Sequence, residues 1–145
     1  MKACALGVMV VLLCAGCMTA QPNGSLVRVT ATAVPLSSDP ATGEVGELRY
    51  QGGLVLTSSD RRFGGISGLR VRADGWVLAV SDIGQWLGFR LVEQGDRLTG
   101  VADFHVAPIL DAGGHPAASK SAVDAEALEW NDWPGGDVAV VALEQ

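Results

Sequence analysis

Past residue 17 the sequence contains no cysteine: Cys4, Cys14 and Cys17 are the whole complement. A disulfide within the body of the protein is therefore excluded, and so is a cysteine-built zinc site. Histidine is nearly as scarce, with His105 and His115 alone, which leaves few bases for a serine nucleophile. Charged residues make up 18% of the chain, and 10 basic residues face 16 acids for a net charge of -6. That sign disfavours nucleic acid as a partner, and the low charge content disfavours a coiled coil. No segment after Gln21 shows sustained 3.6-residue periodicity, and no exact internal repeat is present.

What the sequence does have is apolar. Hydrophobic residues reach 48% over 145 positions, which rules out a disordered polar tail and suits one modest domain. The charge is unevenly spread: residues 17–100 hold eight arginines and eight acids, whereas 101–145 hold eight acids and only Lys120. An acidic stretch of this kind is either a solvated surface or a provision for a hard cation.

The amino terminus reads as an export signal. Lys2 supplies a positive charge, and Ala3 to Gly16 is an uncharged run of fourteen residues, shorter than the roughly 20 that span a bilayer as a helix. Leu13-Cys14-Ala15-Gly16-Cys17 resembles a bacterial lipobox, with Cys14 where leucine is usual. On this reading residues 1–16 are a lipoprotein-type signal peptide and Cys17 is the lipidation site of a periplasm-facing, membrane-anchored protein. Cleavage after Ala20, giving a soluble periplasmic protein, is the alternative.

Short β-branched runs bounded by Gly, Asp, Asn and Pro predict an all-β, antiparallel body. The strands expected are 26–34, 47–57, 66–71, 76–81, 86–93, 97–107, 125–130 and 137–143. Asp74-Gly75 predicts a two-residue hairpin turn, and Gln94-Gly95-Asp96 a second hairpin, so that these strands form a meander. Residues 111–121 predict a long loop, and Trp130, at the end of its strand, and Trp133 flank a loop at Asn131-Asp132. Eight short strands suit a small barrel, a sandwich or about two blades of a propeller.

Phe63-Gly64-Gly65-Ile66-Ser67-Gly68-Leu69, then Ala73-Asp74-Gly75, Leu78-Ala79-Val80-Ser81-Asp82 and Gly84-Gln85-Trp86 follow one another in fixed order. Ala107-Pro108-Ile109-Leu110-Asp111 and Asp124-Ala125-Glu126-Ala127-Leu128 continue it. This order resembles the opening of the bacterial phytase-like family, also called the esterase-like activity of phytase family, from about Gly52 onward. Ala127 stands where that family commonly has glycine. The resemblance implies an exported β-propeller-like protein, here an incomplete propeller of about two blades. It places residues 17–46 as an N-terminal segment and 47–145 as the first part of the phytase-like domain. It also implies a hydrolytic role in which acidic side chains hold calcium and the calcium holds phosphate oxygens, with Asp82, Asp124, Glu126 and Glu144 in matching contexts.

The residues add their own argument. Asp124 and Glu126, two apart on a strand, project from one face and repel unless a cation such as Ca²⁺ joins them. Glu144 holds a similar place after Val138 to Leu143, and neighbouring blades are expected to bring all three to one end. Arg61-Arg62 is a candidate fork for a phosphate or carboxylate of the substrate. The glycine run around Ser67 is neither a phosphate loop, lacking a following Lys-Ser or Lys-Thr, nor a nucleophile elbow, since Leu69 replaces the required glycine. Two function classes follow: a calcium-assisted hydrolase of small phosphoric or carboxylic esters, and a noncatalytic envelope-anchored propeller module that binds a ligand or protein.

Overall fold

The run Trp-Val-Leu-Ala-Val-Ser at 76–81 is apolar on both faces of a strand, the pattern of a strand covered from both sides. In the computed structural model, which describes residues 24–39, 43–116, 119–120, 123–133 and 136–144, this run is indeed central. The expected signal segment and Cys17 lie outside the described residues.

Among the described residues eleven strands follow in order: β1 (Ser25–Leu26), β2 (Thr30–Val34), β3 (Glu44–Val45), β4 (Leu48–Arg49), β5 (Gly53–Thr57), β6 (Ile66–Val71), β7 (Trp76–Ser81), β8 (Gln85–Gln94), β9 (Arg97–Pro108), β10 (Asp124–Trp133) and β11 (Gly136–Glu144). Strands β6 to β9 form an antiparallel meander, and β1 joins the outer side of β9 to give a five-stranded sheet. Strands β10–β11, β2–β5 and β3–β4 form separate two-stranded antiparallel ribbons. The β10–β11 hairpin packs across β6 and β7. Among the described residues there is no α-helix and no closed barrel.

Two apolar clusters share β7. Val77 and Ala79 join Val27, Leu87, Phe89, Phe104 and Val106 on one face, where Phe89 and Phe104 stack at 4.7 Å and Phe63 meets Phe104 edge-on at 5.4 Å. Val80 joins Ala125 and Leu128 of β10 on the other, with Leu78, Trp86 and Val141 packed around them. Burying a side chain such as Leu87 contributes about 1.5–3 kcal/mol, so the sheet rather than the ribbons anchors the fold.

Several sequence expectations need correction. The strand expected at 26–34 breaks at residues 27–29, because Val27 turns into the core beside Phe104. The strand expected at 47–57 breaks at residues 50–52, where Leu98 donates its amide to the Gln51 carbonyl and interrupts the run. The loop at 73–75 holds three residues, not two. Gly75 donates to the Arg72 carbonyl, and the Asp74 carboxylate accepts the Trp76 amide at 3.1 Å, so positive φ is needed at Gly75 alone. At 95–96 the turn does hold two residues, between paired Gln94 and Arg97. The strand expected at 125–130 runs on past Trp130 through the residues expected as a loop to Trp133, since pairing with β11 runs to Trp133 and Gly136. The first part of the expected long loop closes tightly: Asp111 and His115 pair, Leu110 bridges Pro116, and the Asp111 carboxylate accepts the Gly113 and His115 amides.

Candidate metal centre

Asp124 opens β10 and pairs across the hairpin with Glu144, the last residue of β11. Directly opposed residues of antiparallel strands point to the same face. The register then slips: Ala125 faces Leu143 while Ala127 faces Ala142, so Glu126 is the extra residue of a β-bulge. A bulge re-aims the side chain it carries. Here it brings the ligand atoms of Asp124, Glu126 and Glu144 within 4.8 Å of one another. The sequence expectation was that neighbouring blades would unite these acids, but the single hairpin does so.

The fourth expected acid, Asp82, sits in the turn between β7 and β8, with its amide donated to the Gly65 carbonyl at 2.9 Å. Two glycines set it beside Asp124. Gly65 has φ +58, and a side-chain carbon there would fall 1.7 Å from Asp82 Oδ1, so the carboxylate rests directly on the glycine backbone. Gly84 has φ +75, and a side-chain carbon there would meet Val123 Cγ2 at 2.4 Å. Val123 thus seats on Gly84, and the next residue is Asp124. Both glycines supply a backbone conformation that other residues rarely adopt. The close approach that the family sequence assigns to a glycine at 127 comes from the opposite side: Gly68 of β6 lies against the backbone of Ala127 and Leu128.

Lys120 completes the group, and sequence reasoning did not place it there. A turn in which Val123 donates to the Lys120 carbonyl folds the lysine back on the strand. Its Nζ lies 3.2 Å from Asp82 Oδ2 and 3.4 Å from Asp124 Oδ1. The signal available in the sequence was its position as the single cation of the acidic third.

The electrostatics follow from this crowding. Loss of hydration, reinforced by Asp124, Glu144 and Asp82, raises the carboxyl of Glu126, although its side chain is on the surface. Hydrogen bonds to Asp82 and then Asp124 raise Lys120. Asp82 Oδ1 is buried with no hydrogen-bond partner, and Asp124 Oδ1 has only its ion pair to Lys120.

The other candidates stand apart from this cluster. Arg62 forks onto Asp60 at 2.9 and 2.6 Å and reaches Ser25 Oγ at 2.5 Å, and none of its hydrogen bonds runs to the four acids. Arg61 is exposed in the same turn. The Ser67 hydroxyl donates to the Ala125 carbonyl, while His105 Nδ1 lies on the Asp103 carbonyl and His115 beside Asp111. No serine–histidine contact forms among the described residues.

Residues 61–145, more than half of the chain, match the family described as Phytase-like, esterase-like activity of phytase. The chain belongs to this family. No curated protein and no solved structure matches it. The match takes in every residue of the acidic cluster, both positioning glycines and Lys120. The residues here fit a hard cation: the donors are all carboxylate oxygens, one buried oxygen lacks a partner, and mutual repulsion opposes leaving the group unneutralised.

Proposed function

We propose that this phytase-like chain is a calcium-assisted hydrolase of small phosphoric or carboxylic esters. The observation that carries the reading is the convergence of Asp124, Glu126 and Glu144 within 4.8 Å at one end of a hairpin. Asp124, Glu126, Glu144 and Asp82 would hold the cation. Bound calcium supplies charge stabilisation to a phosphoryl or carbonyl oxygen. The chain's own residues hold the cation in register: β10–β11 pairing fixes two donors, the bulge adds a third, and Gly65 and Gly84 bring Asp82 alongside. A serine mechanism draws no support, because the Ser67 hydroxyl is committed to Ala125. Arg62 is read as substrate-facing only where a bound anion draws it from Asp60, with exposed Arg61 beside it.

In this reading the meander with its packed hairpin is part of a propeller-like domain, exported and anchored to the cell envelope through lipidated Cys17. One observation favours a second reading, a noncatalytic ligand-binding module: an apolar cleft of about 140 Å³ lined by Trp76, Trp86, Trp130, Leu78 and His105.

Calorimetric titration with calcium chloride, alongside turnover of a chromogenic phosphomonoester and a carboxyl ester, tests the proposal. The expectation is saturable binding with Kd of about 10⁻⁴ to 10⁻³ M, the range of exposed extracellular sites, and turnover that a chelator abolishes. Asp124→Ala and Glu126→Ala should each lower affinity and turnover together. Calcium binding with no turnover favours the binding module, and unchanged affinity in both variants rejects the site.

A further inference from the structure

Among the described residues, four carboxylates lie near one cation, and that cation is a side chain of the protein itself. Lys120 is about half exposed, yet its ammonium bridges two elements: Asp82, from the turn after β7, and Asp124, at the start of β10. It reaches both oxygens of Asp124 at 3.4 Å and one oxygen of Asp82 at 3.2 Å. Carboxylates that share one ammonium at such distances need only a small shift to share one metal ion. The three acids that already converge offer six oxygens at most, and only if every carboxylate binds through both, which is the lower end of the six to eight that calcium takes. Asp82 is the fourth donor at hand, and one of its oxygens lies buried against Gly65 with no hydrogen bond while the other is held by Lys120.

We propose that Lys120 is the resident counter-cation of the metal-free protein, and that calcium enters by displacing its ammonium and recruiting Asp82 as the fourth carboxylate. This rests on the calcium reading above and adds to it the occupant that the metal must expel. The exchange trades one positive charge at hydrogen-bond distance for two at about 2.3–2.6 Å, so it proceeds when free calcium is abundant and reverses when it is scarce. The lysine therefore sets a threshold: it stabilises the acids in the absence of metal and weakens the apparent affinity for it.

The experiment is calorimetric titration of the full chain with calcium chloride, beside Lys120→Met and Lys120→Arg, with melting temperatures measured with and without calcium. Removing the charge in Lys120→Met should tighten calcium binding about tenfold, since two partly exposed ion pairs no longer compete. It should also lower the metal-free melting temperature and enlarge the calcium-induced rise. Lys120→Arg, which keeps the charge, should stay close to the parent in affinity. A second readout needs no variant: acetylation of the Lys120 amine by an activated ester, followed by peptide mass spectrometry, should speed up when calcium saturates the protein. Unchanged or weaker binding in Lys120→Met, or calcium-independent acetylation, overturns the displacement and leaves the calcium site standing. Absence of calcium binding in both parent and Lys120→Met overturns the two together.

Discussion

Nine of the sixteen acids form two groups that differ in who neutralises them. In the first, each carboxylate has its own arginine: Asp60 with Arg62 at 2.6 Å, Glu129 with Arg70 at 2.6 Å, Asp96 with Arg49 at 2.9 Å, Asp74 with Arg72 at 3.6 Å and Asp103 with Arg90 at 3.8 Å. These pairs close turns or tie neighbouring strands, as Arg70 of β6 does with Glu129 of β10. In the second group Asp82, Asp124, Glu126 and Glu144 have Lys120 between them. Pairing pulls a carboxyl down: the hydrogen bonds of Arg62 hold Asp60 at about 2, and those of Arg70 lower Glu129. Loss of hydration, with repulsion from the neighbouring acids, pushes Glu126 up. An acid with its own guanidinium serves the fold, whereas acids that outnumber their cation leave the negative charge that the proposed calcium would neutralise.

The largest expected effect breaks the second group and spares the first. Asp124→Asn removes the carboxylate that faces Glu144 and also meets Lys120, and calcium affinity should fall by at least about tenfold, with turnover falling alongside. Asp96→Asn, which removes an exposed pair from the turn between β8 and β9, should leave the calcium titration unchanged. Equal losses in the two variants would erase the distinction.

A smaller effect, opposite in sign for the two groups, appears in the dependence of melting temperature on pH. The folded-state pKa of Glu126 is raised, so folding favours its protonated form. The associated stability is fully present below the ordinary glutamate value near 4.3 and is lost as pH rises from there through the raised folded-state value. Glu126→Gln should therefore raise the melting temperature of the metal-free protein at pH 7, with the gain vanishing below about pH 4. Asp60 is the reverse case, with its folded pKa lowered to about 2. Its contribution is present above the ordinary aspartate range and is lost as pH falls toward 2, so Asp60→Asn should destabilise at pH 7 and be neutral near pH 2. Parallel profiles for the two variants would contradict the assignment of the acids to different groups.

Much of this was legible in the residues. Strands 66–71 and 76–81 lie where the sequence put them, because Gly and Asp turns bound them and their apolar runs have one place to go. The charge imbalance of the last third, and the identity of its key acids, could be read off as well. The arrangement that makes them a cluster could not. Glu126 is a bulge residue only because of how β11 pairs with β10, and a spacing of two in the sequence describes a regular strand instead. Lys120 meets Asp82 only because Val123 seats on Gly84, a contact between segments nearly forty residues apart. Gly65 likewise reads as part of a glycine-rich turn until Asp82 is seen resting on it.

The smallest effect concerns Ser67, which lies at the boundary of the comparison because its hydroxyl holds the carbonyl of Ala125, the residue between Asp124 and Glu126. A second, longer contact reaches the Val80 carbonyl at 3.4 Å. Ser67→Ala deletes one neutral hydrogen bond and leaves the Ala125 carbonyl unpartnered from β6, a loss of about 1 kcal/mol. The hairpin keeps its packing through Val80, Ala125 and Leu128, so the acids stay in place and calcium affinity should change by less than about threefold. Turnover should follow affinity. A Ser67→Ala protein that keeps its calcium affinity but loses all carboxyl-ester turnover would instead make the serine a nucleophile, and the acidic cluster would then be a structural neighbour of the chemistry rather than its centre.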